Sequence, residues 1–364
     1  MTPAKHKVFN LKNLFKTCKC LKKSKYKKEA NNLIASVMSL YPDTSTDIVK
    51  VLVAYNLSQG YDFIRYKLKK NPIKFFKDLL KQNTEFVKKC YTNPVKKNFK
   101  KNKKISFEEI TKYHYSTLFT AFGDGKYYNE PQRLLRQRLE KNNYNLKEFR
   151  HFHALDAGCG NGRYTLALKK LGMKKVVGID FSERNLRDAK KRIKKIGIKN
   201  VEFKKASVLS LPFKNNSFDF VFSNGVLHHT KNPQKGLNEI IRVLKKNGKS
   251  YLNLMVDPGG IKWDHIELSR IILFGIDNSL VYNIFSLLGV PADKAYYNLD
   301  HMMVPINIRY KRSEVISMLK KSGAKNIRVL KRGHDIDEDE RIFKREKYSI
   351  DKYGLGYNRI YFEK

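Results

Sequence analysis

Leu155-Asp-Ala-Gly-Cys-Gly-Asn-Gly162 places Asp156 two residues ahead of three glycines at alternate positions, Gly158, Gly160 and Gly162, and Arg163-Tyr164-Thr165 opens a helix behind them. A main chain that must bend sharply and lie flat against a ligand needs glycine, because a residue without Cβ takes positive φ at no steric cost. Dinucleotide enzymes space their glycines Gly-x-Gly-x-x-Gly and set a pyrophosphate on the helix N-terminus. This chain has Gly-x-Gly-x-Gly instead. Eighteen residues beyond Gly162, the run Val176-Val-Gly-Ile-Asp180 ends in a second acid. A carboxylate closing a second strand can accept hydrogen bonds from both hydroxyls of a ribose. The pattern therefore asks for a nucleoside with no phosphate requirement.

Those residues need a scaffold, and the apolar spacing supplies one. Ser182 is a cap for a helix carrying Leu186, Ala189, Ile193 and Ile196 at helical spacing, stopped by Gly197. Val201-Glu-Phe203 and Phe218 to Ser223 read as a third and a fourth strand, the latter apolar enough for the centre of a parallel sheet. Leu237, Ile240, Ile241 and Leu244 mark one face of a helix ending at Gly248, before a strand from Tyr251 to Val256. Alternating strands and helices predict an α/β fold whose parallel sheet is covered on both faces.

With these elements in order, four linked segments resemble the class I S-adenosylmethionine (SAM) dependent methyltransferases, of the small-domain kind called type 11. They are Leu155 to Gly162, Val177-Gly-Ile-Asp180, Leu211-Pro-Phe213 with Ser217 to His229, and Arg242-Val-Leu-Lys-Lys-Asn-Gly248. The resemblance covers roughly residues 151–256, with a weaker echo in the last ~50. It implies a Rossmann-like seven-stranded, mostly parallel sheet with helices on both faces and SAM as cofactor. By position it also implies that Asp156, Ala157, Gly158, Cys159, Gly160 and Gly162 hold the methionine part, Asp180 the ribose, and Phe181 the adenine. Val208 and Asn224 complete the implied cofactor set. Ser207 stands where the family usually has Asp or Asn reading the adenine amine, a departure that weakens one contact.

Methyl transfer from a sulfonium needs the acceptor held about 3 Å from the methyl carbon and, where required, its proton removed. The residues leaving the fourth strand, Ser223-Asn-Gly-Val-Leu-His-His-Thr230, are the ones that would face that carbon. They lack the Asn or Asp followed by Pro-Pro and an aromatic residue expected of enzymes that methylate base amines, and the Pro-Cys of those that attack carbon-5 of a pyrimidine. Oxygen or an activated carbon is the expected acceptor atom. His228 and His229 are general-base candidates, since imidazole titrates near neutral pH; a histidine pair after a strand also serves to shape a turn. Residues 257–310 break the alternation and leave the sheet at the carboxyl end of a strand, the edge where open α/β sheets bind ligands. They are read as a cap insert, with Asp300-His301 and Arg309-Tyr310 as a second polar cluster that closes on the substrate or anchors the insert.

The first 150 residues are read separately. Thr46 to Leu57 and Pro72 to Cys90 are amphipathic helices, the second with proline in the first turn, where a missing N–H is tolerated. Lys96 to Lys104 is a charge run suited to a linker, and Ser106-Phe-Glu-Glu109 is a capping box. Asp124 to Glu130 leads into a helix from Pro131 to Lys141, with Tyr127 and Tyr128 as core or active-site-wall residues. The expected organisation is a basic helical region 1–104, a helical lead-in 105–150, the cofactor core 151–256, the cap 257–310, and completion of the sheet over 311–364.

At 364 residues the chain has room for one α/β domain and a smaller helical region. No apolar run reaches the ~18 residues of a membrane helix, and no leader with a cleavage site is evident near the start. The four cysteines (Cys18, Cys20, Cys90 and Cys159) form neither a zinc pattern nor a disulfide framework, so no metal is expected and a reducing cytoplasm fits. The net charge of +41 divides into +22 for residues 1–150 and +19 for the rest, so the excess is spread out. Only 18 of the 75 basic residues are arginine, and lysine excess makes a general positive field more than a base-reading surface. The preferred reading is a cytoplasmic SAM-dependent methyltransferase acting on a small molecule or a lipid or polysaccharide precursor. Alternatives are an RNA methyltransferase that clamps phosphates with its lysines, and a SAM-binding regulator or scaffold without transfer activity.

Overall fold

The computed structural model describes residue 21 and residues 24–40, 44–90 and 124–364. The basic start with Cys18 and Cys20, the lysine run 96–104 and the Ser106–Glu109 capping box lie outside them. Chain contacts divide the molecule into two units, one of residues 1–110, 258–304 and 347–354, the other of residues 111–257, 305–346 and 355–364.

The second unit is α/β. Its strands are β1 (His153–Ala157), β2 (Lys175–Asp180), β3 (Val201–Lys205), β4 (Phe218–Asn224), β5 (Leu244–Leu254), β6 (Lys325–Val329) and β7 (Asn358–Glu363). They form one sheet in the order β3-β2-β1-β4-β5-β7-β6, parallel except that β7 is antiparallel to both neighbours. Successive residues of a strand point to opposite faces, and each face is buried. Leu155, Val177, Val221, Leu252 and Ile360 enter one core, and Ala154, Val176, Phe220, Tyr251 and Tyr361 enter the other. The strand order reverses between β1 and β4, so the crevice at the carboxyl ends of β1, β2 and β4 is where such a sheet binds its ligand.

Local expectations hold with small shifts. Ser182 caps the helix Glu183–Lys195 by accepting from the Asn185 N–H, and Gly197 follows it at φ 66°. The lead-in helix runs Glu130–Glu140, and Pro72 opens the helix Pro72–Lys89 behind an Asn71 cap. β5 begins at Leu244, earlier than Tyr251, because the helix before it ends at Val243 and the chain enters the sheet at once. The helix Arg312–Lys321 opens where Glu314 accepts from the Lys311 N–H at 2.8 Å.

The first unit is helical: Lys27–Met38, Thr44–Tyr66, Pro72–Lys89, Gly260–Ile272, Asn278–Leu287, Ala292–Met302 and Ser349–Tyr353. Thr44–Tyr66 and Pro72–Lys89 form an antiparallel hairpin, registered by the Asn56–Asn83 side-chain hydrogen bond and the Phe63–Phe75 ring contact. At its centre lies Gly260–Ile272, buried from Ile261 to Ile272 although it carries Lys262, Asp264, His265, Glu267 and Arg270. Buried polar groups need partners. The Tyr26 hydroxyl donates to Asp264, Tyr61 stacks on His265 at 4.5 Å, and Arg270 donates to the carbonyls of His301 and Val304. Burial pushes the His265 imidazole down to about 4, so it is neutral near pH 7.

Candidate active site

The glycine turn is bound into the sheet it leaves. The N–H groups of Gly158 and Cys159 both donate to the Ile179 carbonyl of β2, at 3.0 and 2.7 Å. Gly158 sits at φ 90°, and a Cβ there would lie 2.5 Å from two Val226 methyls. Any side chain would thus strain the backbone and push away the segment that follows β4. Gly162 sits at φ 83° against the Phe203 ring, which lets the helix Arg163–Lys170 start close to the sheet.

Two buried carboxylates flank this turn. Asp156 accepts from the Thr165 hydroxyl at 2.7 Å; burial pushes its carboxyl up to about 7, and nearby Asp180 adds to the rise. Asp180 accepts from the Gly160 N–H at 3.0 Å and the Ser182 N–H at 2.9 Å, and burial raises its carboxyl too, against those bonds. No ion pair with a described residue reaches either one. A buried acid without a cation or enough donors resists ionisation, so both positions favour a ligand that brings positive charge or hydroxyl donors. Among the described residues no group of three or more His, Cys, Asp or Glu side chains is placed to hold a metal ion.

The other positions that the resemblance implies for the cofactor fall around the same strand ends. Ala157 is the last residue of β1, and Phe181, half-buried, is the first after β2. The Ser207 hydroxyl accepts from the Leu209 N–H at 3.2 Å in the turn that carries Val208, itself buried in the core. Asn224 ends β4, and its side-chain oxygen accepts from Asn253 at 3.1 Å. Beside it the buried Ser223 hydroxyl has no hydrogen-bond partner among the described residues. Burial raises the Cys159 thiol well above its ordinary value, which makes it inert rather than nucleophilic.

His228 and His229 form a short 3-10 turn after β4, both rings buried with centroids 4.0 Å apart. The His228 carbonyl accepts from the Ile308 N–H, and His229 Nδ1 lies 2.6 Å from the Ile306 carbonyl. In a neutral ring the nitrogen facing a carbonyl oxygen must carry the proton, which leaves Nε2 as the basic atom. Tyr310 pairs through its backbone with Met255 and Asp257, and burial raises its phenol. These three belong to the α/β unit. His301 belongs to the helical unit, where its ring meets the Trp263 edge at 5.0 Å.

The sequence marked Tyr127 as a core or active-site-wall residue but not its partner, and it gave no sign of a buried ion-pair network. Tyr127 is fully buried, and its hydroxyl donates to the Asn161 carbonyl at 2.6 Å, which ties the lead-in to the glycine turn. Away from the turn, Arg138 grips Asp337 through two bonds of 2.7 and 2.8 Å, and Arg359 pairs with both Asp337 and Asp339, all four buried. Asp337, shared by two guanidiniums, is held far below the usual carboxylate range despite burial; Asp339 has Arg359 alone, and burial wins. Their spacing of 199 and 22 residues leaves no local signal.

A family profile described as a methyltransferase domain matches residues 148–268. Residues 148–268 are thus a methyltransferase domain. The demethylmenaquinone methyltransferase of Lactococcus lactis is 41% identical over 97 residues, covering 26% of this chain and 38% of that protein. The Bacillus cereus protein of the same name is 38% identical over 98 residues, covering 26% of this chain and 41% of that one. The chain thus spans well under half the length of these curated relatives. Among solved structures, a SAM-dependent methyltransferase from Aquifex aeolicus covers 71% of this chain and 99% of its own at 21% identity and TM-score 0.39. The YcgJ protein of Bacillus subtilis covers 63% and 98% at 18% identity and TM-score 0.40.

Proposed function

We propose that this protein is a SAM-dependent methyltransferase that methylates an oxygen or an activated carbon of a small molecule or a lipid or polysaccharide precursor. The observation that carries the reading is the pair of buried carboxylates, Asp156 and Asp180, at adjacent parallel strand ends around a glycine turn, with no cation among the described residues to pair them. Asp156 would receive the ammonium of the methionine part and Asp180 the ribose hydroxyls. Gly158, Gly160 and Gly162 leave the main chain open to the ligand, Phe181 lies beside the adenine position, and Ser207, Val208 and Asn224 complete the lining. The cofactor would supply an electrophilic methyl group, so the protein's task is to position an acceptor and take its proton.

For that proton, His229 Nε2 is the basic atom, with the ring oriented by the Ile306 carbonyl; His228 is its neighbour in the same turn. Tyr310, in the same unit, enters the proposal as an acceptor-side residue. The lipid or quinone class is supported by the names of the two curated relatives and by the absence of base-methylating motifs between Ser223 and Thr230. The test is incubation with methyl-labelled SAM and fractionated cell extract, using wild type and His229→Gln. Label is expected in the small-molecule or lipid fraction, at least about 100-fold less for the variant if a base is needed. Ribonuclease-sensitive label would favour RNA instead. Tight cofactor binding with no transfer to any fraction would favour the regulator.

A further inference from the structure

We infer that the turn joining Thr44–Tyr66 to Pro72–Lys89 is a docking surface for an anionic lipid membrane. The proposal does not rest on the methyltransferase reading, since it needs neither cofactor nor acceptor. Phe63 and Tyr66 stand one helical turn apart on the same face, 41% and 64% exposed, and Phe63 meets the half-buried Phe75 at 5.1 Å across the hairpin. Large aromatic side chains left in water at one place mark a surface that is covered in use. Around them Lys67, Lys69, Lys70 and Lys74 are all exposed, and none pairs with a described acid. From residue 63 to residue 77 the chain has six basic residues and no acidic one.

The tip is also held in shape. The Leu68 N–H donates to the Phe63 carbonyl at 2.8 Å and closes the first helix, while the Asn71 side chain accepts from the Ile73 and Lys74 N–H groups and opens the second. Lys352 donates to the Leu68 carbonyl at 3.4 Å from a third helix of the same unit. Aromatic rings sit at the headgroup level of a bilayer, and nearby lysines are drawn to anionic lipid phosphates. Charge complementarity selects a lipid surface over RNA here. Lysine ammoniums suit a field of phosphates but lack the planar fork that reads bases. A hairpin tip also offers anchors to a layer, whereas single-stranded RNA is bound in grooves whose ring faces are open for stacking.

The test is sedimentation of the full chain with phosphatidylcholine vesicles with and without phosphatidylglycerol, beside binding to a structured RNA. Binding is expected only with phosphatidylglycerol. Tyr66→Ala or Phe63→Ala, which leave the charge unchanged, should each weaken it about tenfold. Reversal of Lys67, Lys69, Lys70 and Lys74 to Glu should weaken it by more than about 100-fold. Reversal of the exposed Lys320, Lys321, Lys325 and Lys331 of the α/β unit changes the net charge equally and should leave it within about twofold, because the proposed anchor is the hairpin tip. Tyr66 is exposed enough that its replacement leaves the fold intact, as a melting curve would verify. Undiminished vesicle binding by both aromatic variants overturns the proposal. So does an equal loss from the reversal in the α/β unit, or a dependence on Tyr66 found with RNA and not with vesicles.

Discussion

Asp156 and Asp337 are both buried in the α/β unit, 2% and 6% exposed, yet their carboxyls are displaced in opposite directions. Burial raises both, and the partners decide the outcome. Asp337 receives two guanidiniums and three N–H bonds from them, so it is charged and satisfied by the fold itself. Asp156 receives hydrogen bonds from Thr165 and no cation among the described residues, so its charge is left for a ligand. A buried acid that the protein pairs belongs to the structure, and one without a described counter-charge marks a candidate binding site.

The comparison breaks most sharply if the two aspartates respond alike to neutralisation. Asp337→Asn leaves Arg138 and Arg359 buried without their shared counter-charge, and about 3–5 kcal/mol of stability should be lost in denaturant unfolding. Asp156→Asn removes an acid that resists ionisation. At pH 8 the ligand-free variant should be more stable than wild type by about 1–2 kcal/mol, while calorimetry should show SAM affinity reduced at least about tenfold. Destabilisation by both would mean that Asp156 has a structural partner instead.

A pH series sharpens the same contrast. The folded-state value of Asp156, about 7, lies above its ordinary 3.8, so between those values the folded protein holds the extra proton. Its contribution to the stability of the ligand-free protein is present at low pH and is lost as pH rises toward about 7. Asp337 is shifted downward, so its contribution is present above the ordinary value of 3.8 and is lost as pH falls below it. SAM binding near pH 6 should also release a proton from Asp156, visible as a dependence of the binding enthalpy on the buffer's ionisation enthalpy. The smallest effect is expected for Thr165→Val, which removes the one hydroxyl on Asp156. It should cost about 1 kcal/mol in wild type and less in the Asp156→Asn background, as a double-mutant cycle would measure.

The glycine turn, the two acids, the Ser182 cap and the alternation of strands and helices were legible in the sequence because each is set by neighbours along the chain. Positive φ at Gly158 and a cap three residues from its N–H are local geometry, and a parallel sheet follows from apolar strands spaced by helices. Only tertiary structure decided that residues 258–304 join the N-terminal helices in one unit, that a helix bearing five charged or ionisable residues forms its centre, and that Arg138 meets Asp337 and Arg359. Such pairings join positions up to 199 residues apart, and nothing in local spacing records them, because they are chosen by which buried charges can satisfy one another after the chain has closed.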